Sequence, residues 1–260
     1  MTAKRTTRPA GPTAPLTSGI IGTVTIARAL SKFGVCSRAE GERLVVAGRV
    51  TVGGAVVRDL ALRVRPETAR IEVDGTLVGR AERTYVALNK PRGLVTTRSD
   101  PQGRATIYSC LANATLPFLG PVGRLDQASE GLLLLTNDTR WAARLLAPES
   151  HVDKTYHVQV RGQMDDAAVA RVAAGVVDDG TGEPLGVKRA SLLRVGSRST
   201  AWLEIVLDEG KNRHIRRLLA AFDIEVLRLV RVAIGPLALG TLAKGAWRML
   251  TPQEVQALRA

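Results

Sequence analysis

Residues 132–135 are four consecutive leucines, and they set the first constraint on the fold. An uninterrupted apolar run between turn signals reads as a buried strand. Gly123 and the polar stretch 126–130, from Asp126 to Glu130, precede it and read as a loop. Asp138 follows as the N-cap of a helix that begins TRWAARLLAP and ends at Pro148. The segment therefore presents Asp126 on a loop at the edge of a rigid sheet, a position suited to a catalytic carboxylate. A turn aspartate bonded to its own backbone has the same local signature.

From residue 84 onward, strands alternate with short helices. YVALNKPRG (85–93) reads as a strand entering a turn. KTYHVQVRG (154–162) and TAWLEIVLDEG (200–210) are rich in alternating β formers. Residues 164–174 and 212–222 have helical spacing, and 228–255 combine a Gly-Pro turn, a short helix-like stretch and a Trp-Arg strand. The segment DEGKNRHIRRLLAAF (208–222) starts as a turn and becomes a basic helix carrying Lys211, Arg213, Arg216 and Arg217 beside His214. It is not a P-loop, because no Gly lies five residues before Gly210 and no Ser or Thr follows Lys211. Such a face can line a phosphate groove, and Arg216 can hold a carboxylate with two prongs. A solvated helix has the same pattern. Tyr156, alone in an alternating strand, reads as core or interface.

The amino-terminal part has a different texture. Residues 1–21 carry Lys4, Arg5, Arg8, three prolines and no acid, which predicts a disordered basic tail, with a transit peptide as the alternative. In 22–80, Ile26, Leu30 and Phe33 have helical spacing that Gly34 ends. Ser37 and Glu40 form a capping-box pattern for a second helix closed by Gly48. RVTVGGAVV then alternates around Gly53-Gly54, a hairpin signal, and IEVDG adds a strand and turn. Arg28, Lys32, Arg38, Arg43 and Arg49 oppose only Glu40 and Glu42 across the helical part.

Charge narrows the partners. The net charge is +13, which favours a polyanion, with nucleic acid ahead of an acidic membrane surface. Aromatics make up 3%, too few for a row of exposed stacking rings. Cys36 and Cys110 are too few for a disulfide framework or a four-thiolate site, and His151, His157 and His214 lack metal-ligand spacing. A metal enzyme is therefore not expected. The apolar stretch 224–234, broken by Arg228 and Arg231, falls short of a membrane helix.

The SRAE, AGRVTVGG and IEVDG steps of 22–80 resemble the ribosomal S-four type RNA-binding domain. The order NKPRG, GRLD…GLLLLTND, KTY, GKNRHIRRLL and RLVRVAIGPLALGTLAKGAWRML resembles the RsuA/RluB-like ribosomal RNA pseudouridine synthases over nearly all of 22–255. Ser129 stands where that family most often has Thr, and His214 where it usually has Gln. The hairpin has Gly-Gly in place of the usual Asn-Gly.

The resemblance implies an α+β chain. A small helix-helix-hairpin RNA-binding domain (22–80) is followed by a mixed, largely antiparallel catalytic sheet with a central cleft (84–256). It implies isomerisation of a uridine in ribosomal RNA, large-subunit RNA being favoured, by a monomeric enzyme with no metal and no cofactor; the two scattered cysteines fit a reduced, cytoplasmic setting. Asp126 matches the family's nucleophilic aspartate, Arg216 the arginine that pairs with it, and Tyr156 the active-site tyrosine. Whether the carboxylate attacks sugar or base stays open. RNA contacts are assigned to Arg28, Lys32, Arg38, Arg43, Arg49, Lys90, Arg124, Lys211, Arg213 and Arg217. The alternative is a non-catalytic ribosome-assembly factor on the same scaffold.

Overall fold

The computed structural model describes residues 22–79, 81–196 and 199–258, so the tail expected over 1–21 lies outside the described residues. The chain opens with β1 (Val24–Thr25), α1 (Ile26–Lys32), α2 (Arg38–Val46), β2 (Val50–Val52), β3 (Ala55–Val57), β4 (Arg63–Val64), β5 (Ile71–Val73) and β6 (Thr76–Leu77). β1 pairs with β4, and β3-β2-β5-β6 form an antiparallel sheet. Ser37 Oγ accepts the Glu40 backbone N–H at 3.2 Å, so the expected cap is present. The other half of the box is not, because the Glu40 carboxylate is taken by Arg43. Ile26, Leu30, Val45, Val50 and Ile71 are fully buried in a core drawn from this part of the chain alone. Among the described residues, it is joined to the rest of the chain by the backbone bonds from Ala81 N–H to the Phe33 carbonyl at 3.1 Å and from Phe118 N–H to the Gly34 carbonyl at 2.9 Å.

The larger part runs through β7 (Tyr85–Lys90), a 3-10 turn (Ile107–Leu111), β8 (Gly120–Val122), β9 (Glu130–Thr136) and α3 (Thr139–Leu146). Then come β10 (Lys154–Arg161), α4 (Asp166–Ala174), β11 (Val176–Val177), β12 (Pro184–Leu185), β13 (Arg189–Val195), β14 (Thr200–Leu207) and α5 (His214–Ala220). β15 (Val226–Ile234), β16 (Leu237–Ala238), β17 (Trp247–Met249) and α6 (Pro252–Ala257) complete it. Among the described residues, a nine-stranded sheet has the order β13-β14-β10-β15-β9-β7-β17, with β8 on β9 and β16 on β15. Its pairings are antiparallel except β15 with β9, so the sheet is mixed and largely antiparallel. No helix among the described residues is long and apolar enough to cross a membrane.

The leucine run forms most of β9, an interior strand buried along its whole length. Leu132 and Leu134 pack with Trp141 and Leu145, while Leu133 and Leu135 face Ile107 and Leu119 on the other side. Alternation sends successive side chains to opposite faces, so a continuous apolar run needs a layer on each. The strand begins at Glu130, not after it. The Glu130 carboxylate is buried and accepts from Arg228 at 3.0 and 3.1 Å, with Lys244 at 2.5 Å. Asp138 caps α3 by accepting the Arg140 and Trp141 N–H groups at 3.1 Å each. On the far half of the sheet, Ile215, Leu218 and Leu219 of α5 and Val172 of α4 cover Val158, Val160, Leu203 and Ile205.

The two halves of the sheet meet where β15 lies against β9, through the pairs Val230–Glu130 and Arg231–Gly131. Gly131 has φ +102°, and a Cβ there would stand 2.2 Å from the Arg231 carbonyl oxygen. Gly131→Ala should therefore destabilise the protein by about 3 kcal/mol or more, combining backbone strain with a steric clash. Gly53, with φ +59° and open space around it, supplies the comparison. Gly53→Ala should cost about 1 kcal/mol. Urea unfolding of both variants checks the ranking, and equal losses would show that the seam tolerates a side chain.

Candidate active site

A cleft of about 640 Å³ opens over this seam. On one wall is the loop between β8 and β9, which carries Asp126, half-buried. The loop is held from beneath. Lys90, at the end of β7 and fully buried, donates from Nζ to the carbonyls of Asp126 at 3.0 Å, Ser129 at 2.8 Å and Pro91 at 3.2 Å. Thr96 Oγ1 adds a 2.6 Å bond to the Leu125 carbonyl. Burial pushes the Lys90 ammonium down to about 8, even though the charges of Asp126 and Glu130 favour protonation. The RNA contact expected of Lys90 is thus corrected. The strand that carries it is covered on both faces, and its ammonium serves the protein's own carbonyls.

The opposite wall comes from the other half of the sheet. Tyr156 of β10, half-buried, lies opposite Arg231 of β15. Arg216 of α5 reaches across and donates from Nη2 to the Ala128 carbonyl at 3.3 Å. Burial lowers its pKa, helped by the charges of Arg213 and Arg92, while Asp126 opposes them. The expected ion pair between Arg216 and Asp126 does not form. Arg216 senses the carboxylate's charge but bonds to the backbone of the same loop.

The remaining expected contacts divide. Lys211 and Arg213 line the cleft, Arg213 in left-handed backbone with φ +49°, and Arg124 is exposed on the loop beside Asp126. Lys211 is itself engaged by the Pro184 carbonyl and by Glu209. Arg217 requires a second correction. It binds Asp178 at 2.7 Å, Glu183 at 2.8 Å and Thr181 Oγ1 at 2.6 Å, and so it holds the β11–β12 hairpin. Adjacent helix residues point about 100° apart, which separates it from Arg216. In the amino-terminal part, Arg43 pairs with Glu40 and Arg49 with Asp74, whereas Arg28 and Arg38 are exposed and Lys32 is half-buried.

Sequence reasoning overlooked Lys154 and Arg231 as cleft residues. The only signal was a cation inside each apolar alternation. Among the described residues, the buried side-chain polar atoms without a hydrogen-bond partner are His214 Nδ1 and Nε2, Arg216 Nε and Arg231 Nη2. All three residues line this cleft. Buried polar groups are nearly always satisfied, so the unpartnered guanidinium nitrogens of Arg216 and Arg231 single out this cleft. Burial also lowers the pKa of His214, against the Glu209 carboxylate 3.5 Å away.

Comparison with known proteins identifies the family. A family model described as RNA pseudouridylate synthase matches residues 84–221, and an S4 domain model matches 26–69. The chain is 40% identical to an uncharacterized RNA pseudouridine synthase of Aquifex aeolicus, spanning 90% of this chain and 93% of the relative. It is 36% identical to the ribosomal large subunit pseudouridine synthase B of Bacillus subtilis, over 90% and 94%. A crystal structure of a pseudouridylate synthase superposes with TM-score 0.63 at 27% identity, covering 90% of this chain and 99% of the other.

The buried lysine generates a pH prediction. Lys90 titrates near 8 in the folded protein against an ordinary 10.5. Between those values the unfolded chain binds more protons, so the contribution of Lys90 to stability rises with pH across that window. The unfolding free energy of the wild type, minus that of Lys90→Met, should increase over the same range. A flat or falling difference in parallel denaturant titrations would overturn the placement of a charged amine beneath the loop.

Proposed function

The chain belongs to the RNA pseudouridylate synthase family and is an isomerase acting on RNA; on that basis we propose that it converts a specific uridine of ribosomal RNA to pseudouridine, with large-subunit RNA as the target. The observation that carries this reading is the loop of Asp126, clamped through its carbonyls by Lys90 and Arg216 and facing Tyr156 across the cleft. The loop backbone is spent on two cations, and the carboxylate is left for substrate.

In the reaction, the bond from uracil N1 to the ribose C1′ breaks and a bond from C5 to C1′ forms. C5 loses its proton and N1 gains one. Asp126 serves as the nucleophile that attaches to sugar or base and leaves again, so neither route consumes it. Tyr156 stacks on the uracil and stands where it can assist removal of the C5 proton. Arg216 keeps the loop and its negative charge in register. The base must leave its stack to enter the cleft. Residues 22–80 act as the RNA-binding domain and 84–256 as the catalytic domain, with Arg28, Lys32, Arg38 and Arg124 giving salt-sensitive phosphate contacts. Asp126, Tyr156 and Arg216 line one cleft, and the reading includes a monomer that works on ribosomal RNA in the cytoplasm.

Asp126→Asn should reduce pseudouridine formation by more than about a thousandfold, the scale seen when a covalent catalyst is removed, while RNA affinity stays within a few-fold. Arg216→Lys should retain more activity than Arg216→Ala, since a point charge replaces part of a planar fork. Mapping pseudouridines in ribosomal RNA from cells with and without the gene identifies the substrate. A missing modification in small-subunit RNA would overturn the large-subunit assignment, and full turnover by Asp126→Asn would overturn the mechanism.

A further inference from the structure

The cleft holds two cations that the isomerisation itself does not use. Arg231 is 6% exposed. Its Nε donates to the Leu132 carbonyl at 2.7 Å, and its Nη2 has no partner. Among the described residues, no carboxylate lies within ion-pair distance of it. A buried guanidinium without a counter-charge is destabilising, so its place in the cleft wall calls for an anionic partner.

Lys154 stands close by. It lies two residues before Tyr156 on β10 and therefore on the same face of the sheet, and it lines the same cleft. Its Nζ donates to the Asp208 carbonyl at 3.0 Å. Burial lowers its pKa, the positive charge of Arg231 lowers it further, and Asp208 and Asp153 oppose both. Those two carboxylates are engaged elsewhere, Asp208 with His151 at 3.3 Å and Asp153 with Lys188 at 2.8 Å. Two cations thus repel each other on the cleft wall, and the two acids that act on Lys154 each have another hydrogen-bond partner.

We propose that Lys154 and Arg231 form a phosphate-binding subsite, taking the phosphodiester adjacent to the nucleotide whose base lies against Tyr156. Tyr156 links the pair: Lys154 is on its own strand and Arg231 is directly opposite it. Both cations line the cleft that Tyr156 also lines, which is where the backbone of a base stacked on this ring would run. A planar fork and a point charge together suit a phosphate's several oxygens. Only the source of the phosphate, an RNA chain, rests on the proposed function; the anion site itself does not.

Two measurements on the full-length protein test the subsite. In the first, inorganic phosphate is titrated while NMR follows the Lys154 side chain, assigned by its loss in Lys154→Met. The signal should shift saturably, and its titration midpoint should rise with phosphate. A Lys154 signal that stays still over the titration overturns the subsite. In the second, an RNA substrate carries a single neutral methylphosphonate at successive positions around the target uridine. One position should slow single-turnover conversion about tenfold in the wild type, the scale of losing charged hydrogen bonds, and scarcely further in Lys154→Met. Arg231→Lys, which keeps the charge in a buried place, should show an intermediate effect. Losses that multiply fully in Lys154→Met at every position overturn the subsite. A wild-type protein that converts no uridine in ribosomal RNA overturns the proposed function alone, and the phosphate titration then decides the anion site.

Discussion

The sheet is continuous because two residue pairs, Val230–Glu130 and Arg231–Gly131, bring β15 alongside β9. Everything in the cleft depends on that parallel contact. The Asp126 loop leads into β9, whereas Tyr156, Arg216, Lys154 and Arg231 all belong to the other half. Without the seam the two sets of side chains have no common space. The seam is sterically demanding, since it relies on a backbone approach that leaves no room for a Cβ at position 131. Glu130, the residue before it, is fixed by Arg228 of β15 and by Lys244, so charge pairing reinforces the backbone contact.

Around this joint the protein uses its carbonyls as anchors. The Asp126 and Ser129 carbonyls point to Lys90, and the Ala128 carbonyl points to Arg216. Each cation compensates partial negative charge along the loop, and each loses solvation to do so, as their lowered pKa values show. The loop is held by groups that would be more stable in water. Precise placement of a reacting side chain commonly comes at the expense of local stability.

Much of the architecture was legible in the sequence because it is local. The leucine run, the Asp138 cap, the Ser37 cap and the strands around Tyr156 and Trp202 each arise from neighbouring residues. What local pattern cannot supply is the partner. Arg217 meets acids more than thirty residues earlier in the chain, and Arg231 bonds to the Leu132 carbonyl 99 residues away. Lys90 reads as one more basic residue in a turn motif, and only the layer on each face of β7 turns it inward. Arg228 and Arg231 look alike in the sequence. In the fold, one pairs with Glu130 and the other faces the cleft. The position of Asp126 was readable from its motif, but the absence of its expected bond to Arg216 was not, because that depends on how far α5 sits from the loop.

The joint between the two parts of the molecule has a consequence for substrate choice. The amino-terminal part is tied to the rest by backbone bonds at Phe33 and Gly34, at the end of α1, where the side chains of Ala81, Pro117 and Asn137 crowd close to Gly34. Main-chain bonds and close packing thus tie the end of α1, the helix that carries the exposed Arg28, to the part that carries the Asp126 loop. For an RNA that touches both parts, the second contact is intramolecular, and its benefit reaches only those RNAs whose own fold bridges the distance between them. Under the proposed function, the joint would make the molecule a gauge of its substrate's span as well as a reader of it.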